Sequence, residues 1–446
     1  MTDAPARHAV LLDRAACKGC TVCITRCPVE AIRVRKGKAS IIAERCIDCG
    51  ECIRACPHKA KRVDADALAA IGGFDFRIAL PAPALYAQFK GSHDAGRMEA
   101  ALRSLGFDAV VEVAEAAEIV AEAVKGQIRA AAAGRGPLIS SSCPAVVRLV
   151  QVRFPSLIDN LIRVLSPMEV AARLAKRRYF TRDTGGGVGA FFISPCPAKV
   201  TASRAPLGHE RSAVDGVLSI NDLYLPLRAA LAAPEAERTG AASDRTSRPR
   251  AGGRGLAWGR AEGEAESLEG ARVIAADGMD RVIGLLEAIE NGALDDVDYV
   301  EALACPGGCV GGPLVAENAS LARSRLRDLE RAREAANVVG RGGAGGEAPA
   351  LDLSWTGDIF SRPVYQLNAD YQVARTMLED MEAIVASLPG LDCGSCGAPS
   401  CRALAEDIVR ETAAKTDCIF ILRERLRDLT KELLDLEAME PPSLDK

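Results

Sequence analysis

The chain has 446 residues, with 56 basic residues against 60 acidic ones and a net charge of -4. A chain of this length suggests about two to four domains and can bury a large core. The balanced charge favours neither nucleic acid nor a membrane surface as a partner. Met1 to Val10 has no apolar signal-peptide core, and no run approaches the ~18 apolar residues of a membrane span, so we expect a cytoplasmic protein.

All 16 cysteines fall into four sets of four, and none is left over. The sets are Cys17, Cys20, Cys23 and Cys27; Cys46, Cys49, Cys52 and Cys56; Cys393, Cys396, Cys401 and Cys418; and the dispersed Cys143, Cys196, Cys305 and Cys309. Without an export signal, such spacing indicates metal binding rather than disulfides. A 4Fe-4S cluster takes four thiolates, so the count predicts four such clusters. None of the four histidines lies within a set, which disfavours mixed Cys/His zinc sites.

Residues 1 to about 70 carry the first two cysteine sets, each spaced C-x2-C-x2-C-x3-C-P. This doubled spacing is that of bacterial two-cluster ferredoxins, in which the fourth cysteine of each run binds the other cluster. We therefore expect one cluster on Cys17, Cys20, Cys23 and Cys56, and a second on Cys46, Cys49, Cys52 and Cys27. The alternating segment between them, residues 31–42, predicts a short hairpin. A pair of zinc knuckles is the less favoured alternative.

From Phe74 the pattern becomes that of an α/β fold. Strands are predicted at 77–80, 108–113, 137–140, 189–193, 272–275 and 297–301, and helices at 97–105, 115–133, 146–154, 279–291 and 321–336, with another starting at Ser166-Pro167-Met168. The strands at 137–140 and 189–193 lead into the loops of Cys143 and Cys196, and the strand at 297–301 leads into Cys305 and Cys309. Ligands in loops that follow strands are how an α/β sheet presents a site.

Three further stretches contain glycine, and two of them can be interpreted in more than one way. The Cys305-x3-Cys309 loop suits a cluster, although a plain tight loop has the same residues. Residues 234–260, rich in Ala, Arg, Gly and Ser, predict an exposed insertion, with a docking patch as the alternative. Residues 340–346 predict a flexible joint.

The last segment, residues 369–446, begins with a helix predicted at 371–388 and continues into the third cysteine set. The gap 402–417 predicts a helix that returns Cys418 to its partners, and a structural zinc site is the alternative to a 4Fe-4S cluster. From Ile419 to Leu436 apolar residues step by three and four. We favour a helix packed on its own domain, ahead of a coiled coil with a signalling partner or with a second copy.

The chain resembles the FeFe-hydrogenases over nearly all of its length. That family reads Thr-Ser-Cys-Cys-Pro, Met-Pro-Cys-x-x-Lys and Glu-x-Met-x-Cys-x-x-Gly-Cys. The matching segments here are Ser140 to Pro144, Ser194 to Lys199 and Glu301 to Cys309. Ala82-Pro83, residues 105–108 and residues 166–168 also match.

The resemblance implies an H-cluster. Its 4Fe-4S half would be held by Cys143, Cys196, Cys305 and Cys309, and Cys309 would bridge to a two-iron half that carries carbon monoxide, cyanide and a dithiolate with a bridgehead amine. Lys199 would place its ammonium against one cyanide, and Ala82-Pro83 would lie near the other. A buried ammonium is costly unless it is paired, so an anionic ligand there is a sensible partner.

The chain departs from the family pattern at three positions that matter. The cysteine that relays protons in catalytic members is Ser142 here, and a hydroxyl is a far weaker acid than a thiol with its pKa near ~8.5. Ser194 and Leu303 replace two methionines that pack on the two-iron half. We place no glutamate in a proton path. These departures, with a C-terminal module similar to the 4Fe-4S domain of corrinoid iron-sulfur proteins, make the chain similar to the divergent hydrogenases regarded as hydrogen sensors.

We therefore expect an α/β protein with a two-cluster ferredoxin-like domain (1–70), a two-lobed H-cluster domain (71–368) and a small helical 4Fe-4S domain (369–446). The expected function is slow, reversible oxidation of H2 and reduction of protons, used to sense hydrogen or redox state, with a redox partner such as a ferredoxin. Three 4Fe-4S clusters and one H-cluster are the expected cofactors. The alternatives are an ordinary ferredoxin-linked hydrogenase with a modified proton path, and a non-catalytic iron-sulfur carrier of electrons or clusters.

Overall fold

The structure is a computed structural model that describes residues 8–90, 95–131, 136–180, 187–233, 251–339 and 351–439. It divides into two compact units. The first comprises Met1–Leu11, Cys46–Gly50 and Arg62–Arg362; the second comprises Leu12–Arg45, Glu51–Lys61 and Pro363–Lys446. Most of the expected ferredoxin-like segment therefore shares one unit with the C-terminal segment. No helix in the described ranges is long and apolar enough to cross a membrane.

The elements alternate along most of the chain. The strands are β1 (Val10–Leu12), β2 (Ile32–Arg35), β3 (Lys38–Ile41), β4 (Lys61–Val63), β5 (Phe76–Pro81), β6 (Ala109–Val110), β7 (Leu138–Ile139), β8 (Val188–Ser194), β9 (Gly216–Ser219), β10 (Val273–Asp277) and β11 (Tyr299–Leu303). The helices are α1 (Val22–Thr25), α2 (Glu51–Ala55), α3 (Pro83–Tyr86), α4 (Ala95–Ser104), α5 (Val113–Ala130), α6 (Pro144–Arg153), α7 (Pro167–Tyr179), α8 (Pro197–Arg204), α9 (Ile220–Ala232), α10 (Gly253–Ala257), α11 (Gly263–Glu266), α12 (Met279–Glu290), α13 (Ala319–Val339), α14 (Tyr371–Ser387), α15 (Cys401–Val409) and α16 (Ile419–Glu437).

Two parallel sheets organise the first unit. One has the strand order β6-β5-β8-β9, and the other has the order β10-β11-β7. Successive side chains of a strand point to opposite faces, and the four-stranded sheet accordingly separates two apolar cores. Leu80 and Phe192 belong to one core, whereas Phe191 and Ile193 belong to the other. The predicted α/β class is confirmed, although the sequence analysis did not anticipate β9.

The second unit contains the predicted hairpin, since β2 pairs antiparallel with β3. Its C-terminal part has a small core in which Met381, Leu404 and Cys418 are buried. The helix expected over 402–417 is wrong in its second half. Helix α15 ends at Val409, close to Glu411, whose φ of 59° lies in the left-handed region, and a short 3-10 turn at Lys415–Asp417 then precedes Cys418.

The exposed insertion expected over 234–260 is wrong for its last ten residues. Residues 234–250, like the joint expected at 340–346, lie outside the described residues. From Ala251 onward the chain is mostly buried and forms α10. A Cβ atom added to Gly255 would lie 2.1 Å from the carbonyl oxygen of Ala114, which is closer than any side chain can approach. The small residues of this segment therefore serve close packing on α5 rather than solvent exposure.

Helix α16 differs from our preferred interpretation of it. It contains no buried residue, and its apolar stripe is exposed, with Leu426 at 54% and Leu433 at 57% of full exposure. Only its first turn contacts the small C-terminal core, through Ile421. The expectation of a helix packed on its own domain is therefore wrong along most of its length.

Candidate iron-sulfur active site

The site residues lie at the carboxyl ends of strands from both sheets of the first unit. Ala82 and Pro83 follow β5, Ser142 and Cys143 follow β7, and Cys196 follows β8. The last two cysteines of the dispersed set, Cys305 and Cys309, follow β11. Loops at the carboxyl ends of parallel strands meet at one edge of each sheet, and this brings Cys143, Cys196 and Cys309 together from distant parts of the chain.

Two of these cysteines stand at the starts of helices. Cys143 is the residue before α6 and Cys196 the residue before α8, and each is followed by a proline in the first turn. A helix N-terminus carries partial positive charge and favours a thiolate there. The sequence Cys-Pro thus both starts a helix and orients a sulfur ligand.

The thiols lie near one another in a buried environment. Burial raises the pKa of Cys309 to about 12, opposed by the charge of Lys199 and reinforced by Cys196 and Cys143. Burial likewise raises the pKa of the Cys196 thiol. Cys305 is 8% exposed. Several buried thiols crowded together are stable as thiolates only around a cation, so this donor set fits an iron-sulfur cluster.

Lys199 is a buried cation beside these sulfurs. Its side chain leaves the first turn of α8, its residue is 8% exposed, and its Nζ donates a hydrogen bond to the Ser142 carbonyl oxygen at 3.2 Å. The charge of Lys199 acts on the nearby thiols, because it opposes the rise in pKa at both Cys196 and Cys309. A buried ammonium requires an anionic neighbour, which a cluster with anionic ligands supplies.

A cavity lies over Cys309. Its walls include six of the predicted positions: Ala82, Pro83, Ser142, Lys199, Leu303 and Cys309. Sequence reasoning missed Trp258 and Phe192, which also line it. The indole Nε1 of Trp258 is buried and makes no hydrogen bond within the described chain. A cavity lined by a residue with an orphaned donor, by an ammonium and by mostly apolar side chains fits a group that carries small acceptor ligands.

Ser194, which we expected near the two-iron group, bonds to the Cys196 backbone. Its hydroxyl donates to the Cys196 carbonyl oxygen at 2.8 Å and accepts from the Cys196 amide at 3.2 Å. The side chain is fully buried and is not among the residues that line the cavity. Ser194 therefore shapes the Cys196 loop, whereas Leu303 occupies a position in the cavity wall.

A buried carboxylate stands behind Ser142. The hydroxyls of Ser142 and Ser140 donate to Glu264 Oε2 at 3.0 Å and 2.7 Å, and the Tyr299 hydroxyl donates to Oε1 at 2.6 Å. Burial raises the pKa of Glu264. This is the glutamate that the sequence analysis failed to place. It lies 122 positions after Ser142, so no motif joined the two.

Glu301 holds the turn that carries Glu264. Its carboxylate oxygens accept from the backbone amides of Glu262 at 2.9 Å and Ala265 at 2.7 Å. Burial raises the pKa of Glu301 to about 8, and the charge of Glu264 adds to the rise. The two buried carboxyl groups therefore influence each other's titration.

The segment before this turn packs on the Cys305 to Cys309 loop. Ala261 donates its amide hydrogen to the Gly307 carbonyl oxygen at 3.0 Å, and Val310 donates to the Gly259 carbonyl oxygen at 2.9 Å. Gly308 has a φ of 88°, and a Cβ atom there would lie 2.4 Å from the Ala261 nitrogen. The loop can therefore carry its two sulfurs against this segment only with glycine at that position.

The Cys46–Gly50 loop belongs to the same unit. Asp48 is 1% exposed, and its carboxylate accepts from Arg148 Nη1 at 2.9 Å and from Thr201 Oγ1 at 2.7 Å. These partners lie on α6 and α8, the two helices that start at Cys143 and Cys196. Asp48 thus fixes a ferredoxin-type cysteine loop to the helices that orient two of the active-site sulfurs.

The second unit holds most of the other thiols, whereas Cys46 and Cys49 lie in the first unit. Cys23 lies in the electrostatic range of Cys17, Cys20 and Cys56, and Cys52 in that of Cys27. Burial raises the pKa of Cys52 to about 12, against the charge of Lys61. Lys61 is 4% exposed, and its Nζ makes no hydrogen bond within the described chain. An orphaned ammonium among thiols fits an anionic cluster. In the C-terminal part, Cys396 and Cys401 pack on the core that contains Cys418, and Cys393 is exposed.

Three family models match the chain. The model described as iron only hydrogenase large subunit, C-terminal domain, matches residues 76–267 and 251–313, which together cover more than half of the chain. A 4Fe-4S dicluster domain matches residues 9–57, and an Fe-S cluster domain matches residues 388–420. The second segment of the hydrogenase match begins at residue 251, where the buried part of the expected insertion also begins.

Individual relatives are distant. Iron hydrogenase 1 of Clostridium pasteurianum is 24% identical over 262 residues, which are 49% of this chain and 45% of that protein. An uncharacterized protein of Methanocaldococcus jannaschii is 35% identical over 57 residues, 13% of this chain and 25% of its own length. This chain thus spans less than half the length of these curated relatives. Among solved structures, a variant of the FeFe-hydrogenase HydA1 from Chlamydomonas reinhardtii has a TM-score of 0.45 and 16% identity, covering 65% of this chain and 95% of that one.

Proposed function

We propose, from the premise that this chain belongs to the iron-only hydrogenase family, that it slowly and reversibly oxidises H2 and reduces protons at an H-cluster, and that it thereby senses hydrogen or redox state. The observation that carries the proposal is the cavity over Cys309, which Lys199, Trp258 and Ser142 line. A cluster-carrying protein with four plain cubanes has no use for a buried ammonium and an orphaned indole N–H in that place.

The residues around the cavity have distinct roles in this proposal. Cys143, Cys196, Cys305 and Cys309 would hold the 4Fe-4S half, and Cys309 would also bind the two-iron half. When bound, the two-iron group would supply a metal site that splits hydrogen heterolytically and an amine that takes the proton. Lys199 and Trp258 would donate hydrogen bonds to small ligands of this group, and the apolar wall of Ala82, Pro83 and Leu303 would exclude water.

Ser142 and Glu264 form the proton path of the proposal. Ser142 lines the cavity, and its hydroxyl donates at 3.0 Å to the carboxylate of Glu264, whose pKa is raised by burial. A hydroxyl passes a proton only by giving one to Glu264 as it receives another, since its own acidity is too low for ionisation. Turnover is therefore slow relative to a site with a thiol in this position.

Electrons leave or enter one at a time through three further 4Fe-4S clusters. Their ligands are Cys17, Cys20, Cys23 and Cys56; Cys46, Cys49, Cys52 and Cys27; and Cys393, Cys396, Cys401 and Cys418. Asp48 supports this route within the first unit, because it ties the Cys46–Gly50 loop to α6 and α8. The redox partner is a one-electron carrier such as a ferredoxin.

Infrared spectroscopy tests the proposal in the carbon monoxide and cyanide stretching region. The sample is protein purified without air and matured with the two-iron precursor. We expect a set of bands that shifts under hydrogen and a turnover far below that of an ordinary hydrogenase. A fast rate with the same bands would favour the ordinary ferredoxin-linked enzyme. No bands after maturation that succeeds on a known hydrogenase in parallel would favour the non-catalytic carrier.

We also propose that α16 pairs with a second copy of this chain. The stripe from Ile419 to Leu436 fills heptad positions a and d, and it is exposed along its length. The charges that flank the stripe favour an antiparallel pair. In that orientation Arg425 of each copy lies opposite Glu432 of the other copy, which gives two attractive pairs. In a parallel pair Glu432 of one copy lies opposite Glu437 of the other, and the two charges repel.

Sedimentation analysis separates these arrangements. Leu429→Glu is expected to convert a dimer to a monomer, because it places a charge in the apolar seam. Glu432→Arg is expected to weaken an antiparallel dimer by setting it against Arg425, and to strengthen a parallel one by setting it against Glu437. A wild-type protein that stays monomeric at all accessible concentrations would contradict self-association. The apolar stripe would then be the binding surface for a different protein.

A further inference from the structure

The C-terminal module is fixed to the ferredoxin-type hairpin by buried ion pairs within the second unit. Arg33 and Arg35, both on β2, bond to the carboxylate of Asp407 on α15, each at 2.7 Å. The side chains of Arg33 and Asp407 are only 7% and 9% exposed. Arg45 pairs with Glu406 on the same helix. Charges buried to this degree hold their partners in one geometry, so the module is docked rather than tethered.

The docked face includes the cysteine loop of the C-terminal module. Val34 donates its amide hydrogen to the Gly397 carbonyl oxygen at 2.8 Å, and Arg35 Nη1 donates to the Cys396 carbonyl oxygen at 2.7 Å. A Cβ atom on Gly397 would lie 1.8 Å from the Val34 carbonyl oxygen, and the residue has a φ of 81°. Only glycine permits this approach, which brings the loop of Cys393 and Cys396 against β2.

The same loop also contacts the first ferredoxin-type cysteine run. A Cβ atom added to Gly394 would lie 3.3 Å from Ile24 Cδ1 and 3.7 Å from Thr21 Cβ. Thr21 stands between Cys20 and Cys23, and Ile24 directly follows Cys23. The ligand loops of two different cysteine sets therefore approach so closely that a side chain at position 394 would contact the first cysteine run. The rate of electron transfer between metal centres falls steeply with their separation.

We infer that the C-terminal 4Fe-4S module is the redox port of the ferredoxin-type module, exchanging single electrons with the cluster on Cys17, Cys20, Cys23 and Cys56. In each exchange one cluster passes from the 1+ to the 2+ state while the other passes from 2+ to 1+, and no proton or bond is transferred. Cys393 is the exposed member of its set and presents this cluster to an external one-electron carrier. The inference rests on the cluster ligands of the proposed function but not on the two-iron group.

Electron paramagnetic resonance tests this inference on full-length protein that carries its cubane clusters and has not been matured. In the fully reduced wild type we expect the C-terminal cluster to add spin-spin splitting to that of the two ferredoxin-type clusters. Cys418→Ser, which removes the C-terminal cluster, is expected to reduce the splitting to that of the ferredoxin-type pair. A wild-type spectrum equal to the Cys418→Ser spectrum plus an isolated cluster signal, with the iron of all four cubanes present, would overturn the inference.

The docking contact is tested separately. Asp407→Asn weakens both arginine pairs, and we expect the splitting to diminish while the iron content stays unchanged. Glu379→Gln is the matched control, because it makes the same change of charge at an exposed pair on α14 of the same module. If the Asp407→Asn protein loses iron, Arg35→Gln is used as the docking variant instead, because Arg33 and Asp407 still form their ion pair in that protein. An undiminished splitting in an iron-replete docking variant would overturn the assigned contact.

The outcomes distinguish this inference from the proposed function. Coupling of the C-terminal cluster to the ferredoxin-type clusters, in a protein that gives no carbon monoxide or cyanide bands after maturation, would support the redox port and refute the H-cluster. Absence of that coupling in a protein with a working H-cluster would support the H-cluster and refute the redox port.

Discussion

Replacing Glu264 with glutamine tests the role of the buried carboxylate separately from the other residues of the site. The substitution keeps size and shape, but an amide group that takes the place of Oε2 cannot accept the hydrogen bonds from Ser140 and Ser142. Tyr299 can still donate to the remaining oxygen. We therefore expect a well-folded protein that has lost its proton acceptor behind Ser142.

Removing a positioned proton-transfer group costs on the order of 10²- to 10⁴-fold in rate, or about 2.7 to 5.5 kcal/mol of transition-state stabilisation. The assay is hydrogen evolution by matured protein, with infrared bands as the measure of loaded sites. Glu262→Gln is the control, because that side chain is half exposed and pairs with Arg323 at the surface. A Glu264→Gln protein with full bands and less than about threefold loss would refute the proton path.

The same variant has a second signature in stability. Glu301 in the folded chain has its pKa raised from 4.5 to about 8, first by burial and then by the charge of Glu264. The folded state therefore keeps a proton that the unfolded state has lost, and stability falls as pH rises from about 4.5 to about 8. Without the charge of Glu264 this fall is expected to end at a lower pH, as measured by denaturant unfolding across the pH series.

Four other substitutions test the site. Ser142→Cys is expected to raise hydrogen turnover by about one to two orders of magnitude, because a thiol is an acid of suitable strength beside the amine. Cys309→Ser is expected to abolish the infrared bands and lower the iron content, since it removes a ligand of both halves. Trp258→Phe is expected to shift one cyanide or carbon monoxide band and leave the band set intact, because the N–H donor is lost while an aromatic ring remains in the cavity wall. Asp48→Ala leaves Arg148 buried without its carboxylate and is expected to cost about 3–5 kcal/mol in denaturant unfolding.

Matched controls accompany these variants. Ser141→Cys changes the neighbouring serine, whose hydroxyl bonds to the Val164 carbonyl oxygen, and should leave turnover unchanged. Trp355→Phe removes an indole N–H that is already bonded to Val164, and should leave the infrared bands in place. Asp64→Ala breaks a half-exposed pair with Arg204 and should cost no more than about 1 kcal/mol. Equal effects in a variant and its control would contradict the assigned role.

The cysteines and strands were predictable from the sequence because their signals are local. Most of the cysteine loops can be recognised by the spacing between their cysteines. Strands β5, β8 and β11 are short apolar runs with clear ends. The parallel pairing of β8 with β5 and β9 then places Cys196 without further information. Family membership was also predictable, since it depends on the same short motifs, and the hydrogenase model confirms it.

Glu264 and Trp258 were not predictable, because both lie near a stretch whose composition mimics a linker. Alanine, glycine and arginine are common in solvated loops, yet here Gly255 and Gly259 allow backbone to approach backbone, and Arg260 is buried between Glu330 and Glu266. Small residues indicate close packing as readily as exposure. Only tertiary contact distinguishes the two, and no local pattern carries it.

Within the first unit, the proposed routes of protons and electrons reach the active-site cysteines through different residues. The Asp48 carboxylate joins the Cys46–Gly50 loop to α6 and α8, and a Cβ atom on Gly50 would lie 3.2 Å from Pro197, the residue after Cys196. Glu264 bonds instead to Ser142, the residue before Cys143. Because the two routes share no side chain, different measurements should detect their variants. Glu264→Gln should alter the pH profile and the solvent isotope effect of turnover. Asp48→Asn should slow the reduction of the clusters and leave the pH profile and the isotope effect unchanged. A change of isotope effect in Asp48→Asn would mean that the loop position, and not Glu264 alone, sets the geometry of the Ser142 hydroxyl.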